Sequence, residues 1–207
     1  MECVRAMDIC AQLMAWSRQY PDPSAPAGQN EAARAAEDKF LARFAGLVSL
    51  DRDQVAELVG WKFHAMAHRK ALAMRGISPQ RWDGHDGGPG AAVLIGKALA
   101  ASDDYEALAT MASSTGGIHR FGPAMSSVVL AACRPGTFTV ADSRALATLR
   151  GLRLIPPGPE VFRLSDWLPY LSACRALARQ CGLSLRQVDR ALWIGAAGQS
   201  LPGHQVS

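Results

Sequence analysis

Apolar residues recur at helical spacing along nearly the whole chain, and nowhere do they alternate with the period of two that a half-buried strand requires. Val4, Met7, Leu13 and Met14 follow this spacing in residues 2–19, and Phe40, Leu41, Phe44 and Leu47 follow it in 30–47. Alanine is abundant while valine and isoleucine are sparse, which favours helix over sheet. The expectation is an all-α fold: a compact helical domain, with room for two small lobes, over all 207 residues.

Breakers punctuate the pattern. Pro21 and Pro23 end the first helix, and residues 21–29 read as a linker. Asp51 is placed to cap a third helix running to about Met74, with Gly76 as its stop. Residues 76–90, rich in Gly, Pro and Asp, read as a loop that could divide two lobes. Helices are predicted at 91–101, 103–113, 123–133 and 140–151, and two more starting at Ser165 and Ser184, after a proline-bearing loop at 155–163.

Charge and cysteine content narrow the setting. A net charge of +4 and a pI near 9.0 are compatible with a phosphate-binding surface without requiring one. The five cysteines, Cys3, Cys10, Cys133, Cys174 and Cys181, are odd in number and form no closely spaced pair. They are expected to be reduced, partly buried small side chains, neither a disulfide framework nor a metal or iron–sulfur site. No apolar run is long enough for a membrane span and no leader pattern opens the chain, so a cytoplasmic monomer without cofactor is expected.

The segment with most chemical content is IHRFGPAMSSVVL, residues 118–130. A helix precedes it, a short turn holds Gly116 and Gly117, and a tight glycine-containing turn leads directly into an apolar helix. Pro123 suits the first helical position, where its missing N–H is no loss. Backbone amides at such a helix start attract an anion such as phosphate.

This segment resembles the helix-hairpin-helix of DNA repair glycosylases such as endonuclease III and 8-oxoguanine glycosylase. Ile118, Phe121, Gly122 and Ser126 take the family's apolar, apolar, glycine and small positions, within a motif spanning about 104–133. His119 and Arg120 stand where the family has Pro and its first Gly. In that family an Asp lies 20 positions after the second hairpin glycine, and here residue 142 is Asp, in TFTVADSRAL. The resemblance implies that Asp142 is the catalytic carboxylate and that Gly117, His119, Arg120, Gly122 and Arg144 meet double-stranded DNA.

The chemistry suits a carboxylate. Breaking an N-glycosidic bond develops positive charge on the sugar, which a nearby carboxylate stabilises while orienting water. Asp at this boundary is also a common helix cap. Where lyase-active members carry a lysine, two positions after the hairpin glycine, this chain has Ala124, which cannot form a Schiff base. The resemblance therefore implies a monofunctional glycosylase acting on a damaged or modified base flipped from duplex DNA. Its alternatives are a glycosylase for modified phage DNA in defence, and a non-catalytic DNA-binding or scaffold protein.

Outside the hairpin, Trp61, Lys62, Phe63 and His64, together with Trp82 in the 76–90 loop, are candidates for a base pocket or duplex wedge. His64 and His68 share a face if one helix runs through both, but no third ligand accompanies them, and no metal is expected. Trp167, Arg186, Asp189, Arg190 and Trp193 read as structural, with the charges solvated or paired.

Overall fold

In a computed structural model residues 2–85 and 87–198 are described, and among them all regular structure is helical. The α-helices are α1 (Glu2–Gln19), α2 (Ala27–Ala42), α3 (Arg52–Lys62), α4 (Ala67–Gly76), α5 (Pro79–Asp83) and α6 (Ala91–Ala100). They continue with α7 (Asp104–Ala109), α8 (Pro123–Cys133), α9 (Ser143–Gly151), α10 (Trp167–Cys181) and α11 (Leu185–Gly198). The all-α expectation holds. No helix among the described residues is long and apolar enough to cross a membrane.

Several predicted boundaries hold because the local chemistry dictates them. Asp51 caps α3, accepting from the Gln54 amide at 2.8 Å, while the Gln54 side chain accepts the Asp51 amide at 2.9 Å. Ser184 and Gln187 make the same reciprocal pair at the start of α11. Other expectations are corrected. The single helix expected from Asp51 to Met74 is two helices, α3 and α4, separated by a turn at residues 63–66. Neither Gly nor Pro marks that break; burial of Phe63 on one side and of Ala73 and Ile77 on the other overrides local propensity. The 76–90 segment contains the short helix α5, and α7 ends at Ala109, where the Thr115 hydroxyl donates to the Ala109 carbonyl at 2.5 Å.

The chain divides into two compact units, and not at the 76–90 loop. One comprises residues 1–40, 142–161 and 172–207; the other comprises 41–141 and 162–171. In the first, α11 packs against both α1 and α9, and Leu13, Leu146, Leu149, Val188 and Leu192 are fully buried. Here the cysteine expectation fails for one pair: Cys10 on α1 and Cys181 at the end of α10 form a disulfide across 171 residues of sequence, with Cα atoms 5.1 Å apart. Cys133 and Cys174 are buried thiols outside the disulfide, and burial pushes the Cys133 thiol up to about 11. The Cys3 side chain lies outside the described set.

The structural reading of the C-terminal charges holds. Glu37 receives Arg186 and Arg190, each at 2.6 Å, and the Tyr20 hydroxyl at 3.0 Å; Arg190 also reaches Asp38 at 2.5 Å and Arg186 pairs with Asp189. Burial raises the Glu37 carboxyl, but the two guanidinium groups outweigh it and hold the group below its ordinary range.

In the second unit, α8 is the central helix, with Met125 and Ser126 to Leu130 all buried. Phe138 stacks on Trp167 with centroids 6.2 Å apart, and the Trp167 indole donates to the Asp104 carbonyl at 2.7 Å. The end of α4 lies directly on the turn before α8. A Cβ at Gly76 would come within 2.0 Å of the His119 carbonyl oxygen, so only glycine fits there.

Two stability predictions follow from this packing. Gly76→Ala should destabilise the protein by at least about 2 kcal/mol, because the clash is with backbone rather than a flexible side-chain end. Gly96→Ala, in the middle of α6 with open space at its Cβ position, should instead stabilise by about 0.5–1 kcal/mol; denaturant titration of both variants checks the contrast. For Glu37, the depressed carboxyl contributes stability above the ordinary carboxylate range, lost as pH falls through its folded-state value. The stability gap between wild type and Glu37→Gln should therefore be wide at neutral pH and shrink progressively on acidification, as urea titrations across that range would report.

Candidate nucleic-acid interface and carboxylate site

The connection between α7 and α8 is a closed turn pinned by backbone bonds. The Ser113 amide donates to the Phe121 carbonyl at 2.7 Å, Gly117 to Ala112 at 3.0 Å, and Ile118 to Met111 at 3.0 Å. Ile118 and Phe121 are buried anchors at 2% and 0% exposure, whereas His119 and Arg120 between them are exposed. Gly117 cannot carry a side chain, since its Cβ would lie 2.5 Å from the Met111 carbonyl carbon.

The turn's left-handed residue is Arg120, at φ 65°, while Gly122 takes an extended φ of −84° as the N-cap of α8. The expectation that Gly122 would occupy the tight position is thus met in part: it caps the helix, and the strained position lies two residues earlier. The Arg120 guanidine Nε donates to His119 Nε2 at 3.2 Å, so the two exposed side chains are neighbours. No acidic residue occupies the first turn of α8, and no side chain caps it. Among the described residues, no acceptor pairs with the backbone amides of Arg120, Gly122 and Ala124. Exposed basic side chains and unpaired amides on one turn favour an anion.

The 76–90 segment meets this turn. A cavity of about 170 Å³ is lined by Arg81, Gly84 and Gly88 from one side and by Gly116, Gly117 and His119 from the other. Trp82, half-buried on α5, therefore belongs to a segment that abuts the turn.

The other pocket candidates are dispersed. Phe63 is buried in the core at 8% exposure. Trp61 and Lys62 are half-buried at the end of α3, and His64 is exposed on the following turn, its Nδ1 3.2 Å from the Trp61 carbonyl. Because α3 and α4 are separate helices, His64 and His68 do not share a helix face. Among the described residues no cluster of His, Cys, Asp and Glu is suited to a metal.

Asp142 is the N-cap of α9, half-buried, with extended backbone at φ −138°, ψ 136°. Its Oδ1 accepts the Arg144 amide at 2.9 Å. Arg144 is exposed, and its guanidinium lies 4.4 Å above the Trp193 ring, a cation–π contact that turns it onto α11. Asp142 and Arg144 belong to the first unit, and the turn at 116–122 with Trp61, Lys62, His64 and Trp82 to the second. Comparison with protein-family models, with curated proteins and with solved structures gives no match.

Sequence reasoning missed Arg81 as part of the turn's surroundings, and it missed the two buried hydroxyls, of Ser127 and Tyr170, that hold the chain before Asp142. Ser126 and Ser127 inside an apolar run were the available signal for the latter.

Arg120 offers a direct test of the backbone. A left-handed conformation costs a non-glycine residue roughly 1–2 kcal/mol, and glycine's larger unfolded-state entropy offsets about 0.5–1 kcal/mol of the relief. Arg120→Gly should therefore match wild-type stability or exceed it by up to about 1.5 kcal/mol, whereas β-branched Arg120→Val should fall below wild type. Equal unfolding free energies for the two variants would mean that residue 120 is not left-handed.

Proposed function

We propose that the protein is a monofunctional DNA glycosylase that hydrolyses the N-glycosidic bond of a damaged or modified base flipped out of duplex DNA. The observation that carries the reading is the left-handed backbone at Arg120. The resemblance to the glycosylase hairpin puts a glycine at that position, and a positive φ is what a glycine position serves. Retaining arginine there, against its conformational cost, is consistent with a cation kept for phosphate.

In this reading the turn at 116–122 binds the DNA backbone through amides and the Arg120 and His119 side chains. Such contacts orient a duplex without reading its sequence. Asp142, at the positive end of α9, stabilises the charge that develops on the sugar and orients the attacking water. Ala124 supplies no amine, so the product is an abasic site with an intact strand.

A second reading, a DNA-binding protein without catalysis, draws on the fact that Asp142 caps its own helix. The two readings part at the carboxylate charge. Capping requires an acceptor, which an amide supplies; charge stabilisation requires the anion.

The test is incubation with a panel of duplexes bearing modified bases, followed by alkali to reveal abasic sites. On the duplex that is cut, Asp142→Asn should lower excision about 10²–10³-fold while duplex affinity is retained. Binding should weaken with salt, with Arg120→Glu and Arg120→Gly both reducing affinity across sequences alike and flattening the salt slope. Excision by Asp142→Asn at the wild-type rate would reduce Asp142 to a cap. Salt-independent binding would reduce the turn to a packing element.

A further inference from the structure

Residues 138–141 run through the second unit without regular structure, with Phe138, Val140 and Ala141 buried at 2%, 4% and 0% exposure. No strand runs beside them among the described residues, so their buried peptide groups need side-chain partners. The peptide linking Val140 to Ala141 has two. Its N–H, on Ala141, donates to Ser127 Oγ at 2.7 Å, and its carbonyl, on Val140, accepts from the Tyr170 hydroxyl at 2.9 Å. One planar group is therefore held at both of its polar atoms, which fixes its plane as well as its position.

Both holding groups are themselves fixed. Ser127 is fully buried, and its hydroxyl donates to the Ala124 carbonyl at 2.9 Å, so its donor is used within α8 while its lone pair faces Ala141. Tyr170 is fully buried, with the Phe162 ring edge-on at 5.1 Å. The next residue after this peptide is Asp142.

We propose that Ser127 and Tyr170 are positioning residues for the Asp142 carboxylate, acting through the Val140–Ala141 peptide. The proposal rests on the glycosylase reading of Asp142. It also gives physical content to the 20-residue separation between Gly122 and Asp142. Ser127 lies five residues after Gly122 on the same helix. Small displacements of a reacting group cost large factors in rate, and a group held by fixed neighbours avoids them.

The test compares Ser127→Ala and Tyr170→Phe, each removing one hydroxyl oxygen, with Leu99→Ala, a core truncation in α6 that removes no polar group. Single-turnover excision of the duplex found in the panel is measured at saturating protein and well below each unfolding midpoint, with duplex Kd alongside. Each hydroxyl variant should slow excision at least about tenfold at unchanged Kd, and Leu99→Ala should excise at the wild-type rate despite its lower stability. Hydrogen exchange at the Ala141 amide should accelerate in Ser127→Ala. If Asp142→Asn is inactive but both hydroxyl variants excise like wild type, or no more slowly than Leu99→Ala, positioning is overturned and the role of Asp142 stands. If wild type excises nothing from any duplex, the glycosylase reading falls, and the positioning role with it.

Discussion

A buried non-helical segment with no strand beside it among the described residues has no ladder to satisfy its peptide groups, and the chain from 138 to 141 meets that constraint at the Val140–Ala141 peptide. Phe138 is held by the Trp167 ring and by Arg134, whose guanidinium sits 4.8 Å above it. The following peptide takes the hydroxyls of Ser127 and Tyr170 in place of a neighbouring strand. The cost of an unsatisfied buried carbonyl or amide is about 1–3 kcal/mol, a large fraction of a typical domain's net stability. Placing α8 and the start of α10 around residues 138–141 thus follows from the same requirement that fills the core. The extended stretch ends where Asp142 resumes helical bonding, accepting the Leu146 amide on its own carbonyl at 2.9 Å.

The sequence was informative wherever a structural decision is made by residues close to one another in the chain. Asp51 with Gln54 and Ser184 with Gln187 are three apart and decide two helix starts; Pro123 decides a third. The α8 boundaries were read correctly because Gly122, Pro123 and the apolar run through Cys133 act locally. What could not be read depends on distant partners. The break between α3 and α4 follows from burying Phe63, Ala73 and Ile77, with no breaker residue to announce it. The Cys10–Cys181 bond joins residues 171 apart, so spacing rules that look for neighbouring cysteines are blind to it. Of the candidate site, the turn and the helix-capping place of Asp142 are legible, whereas the burial of Phe63 is not, because an aromatic has the same sequence signature in a core and in a pocket.

The two units place their charges differently. In the first, Glu37 sits beneath Arg186 and Arg190, and Arg34 donates to the Tyr20 carbonyl at 3.0 Å, so most of the cationic groups near α11 are neutralised or spent on backbone. Such a knot fixes side-chain geometry more than it attracts a ligand, because its field is internally cancelled. In the second, His119 and Arg120 stand on a turn with no acidic residue in the first turn of α8 and with unpaired amides beside them. Distribution, not total charge, is what a phosphate would sense.

The helix-capping role of Asp142 and its proposed catalytic role draw on the same geometry without competing. A carboxylate offers about four lone-pair directions, and the Arg144 amide bonds it at Oδ1 without neutralising its charge. That bond restricts the side-chain rotamer, which is what a group acting on a transition state needs, since reorientation during reaction would forfeit part of the electrostatic gain. The helix N-terminus contributes further by favouring negative charge at this position. Upstream, the peptide gripped by Ser127 and Tyr170 fixes the backbone from which the side chain projects. In the proposed reading, cap, dipole and clamp act in turn on side chain, charge and backbone.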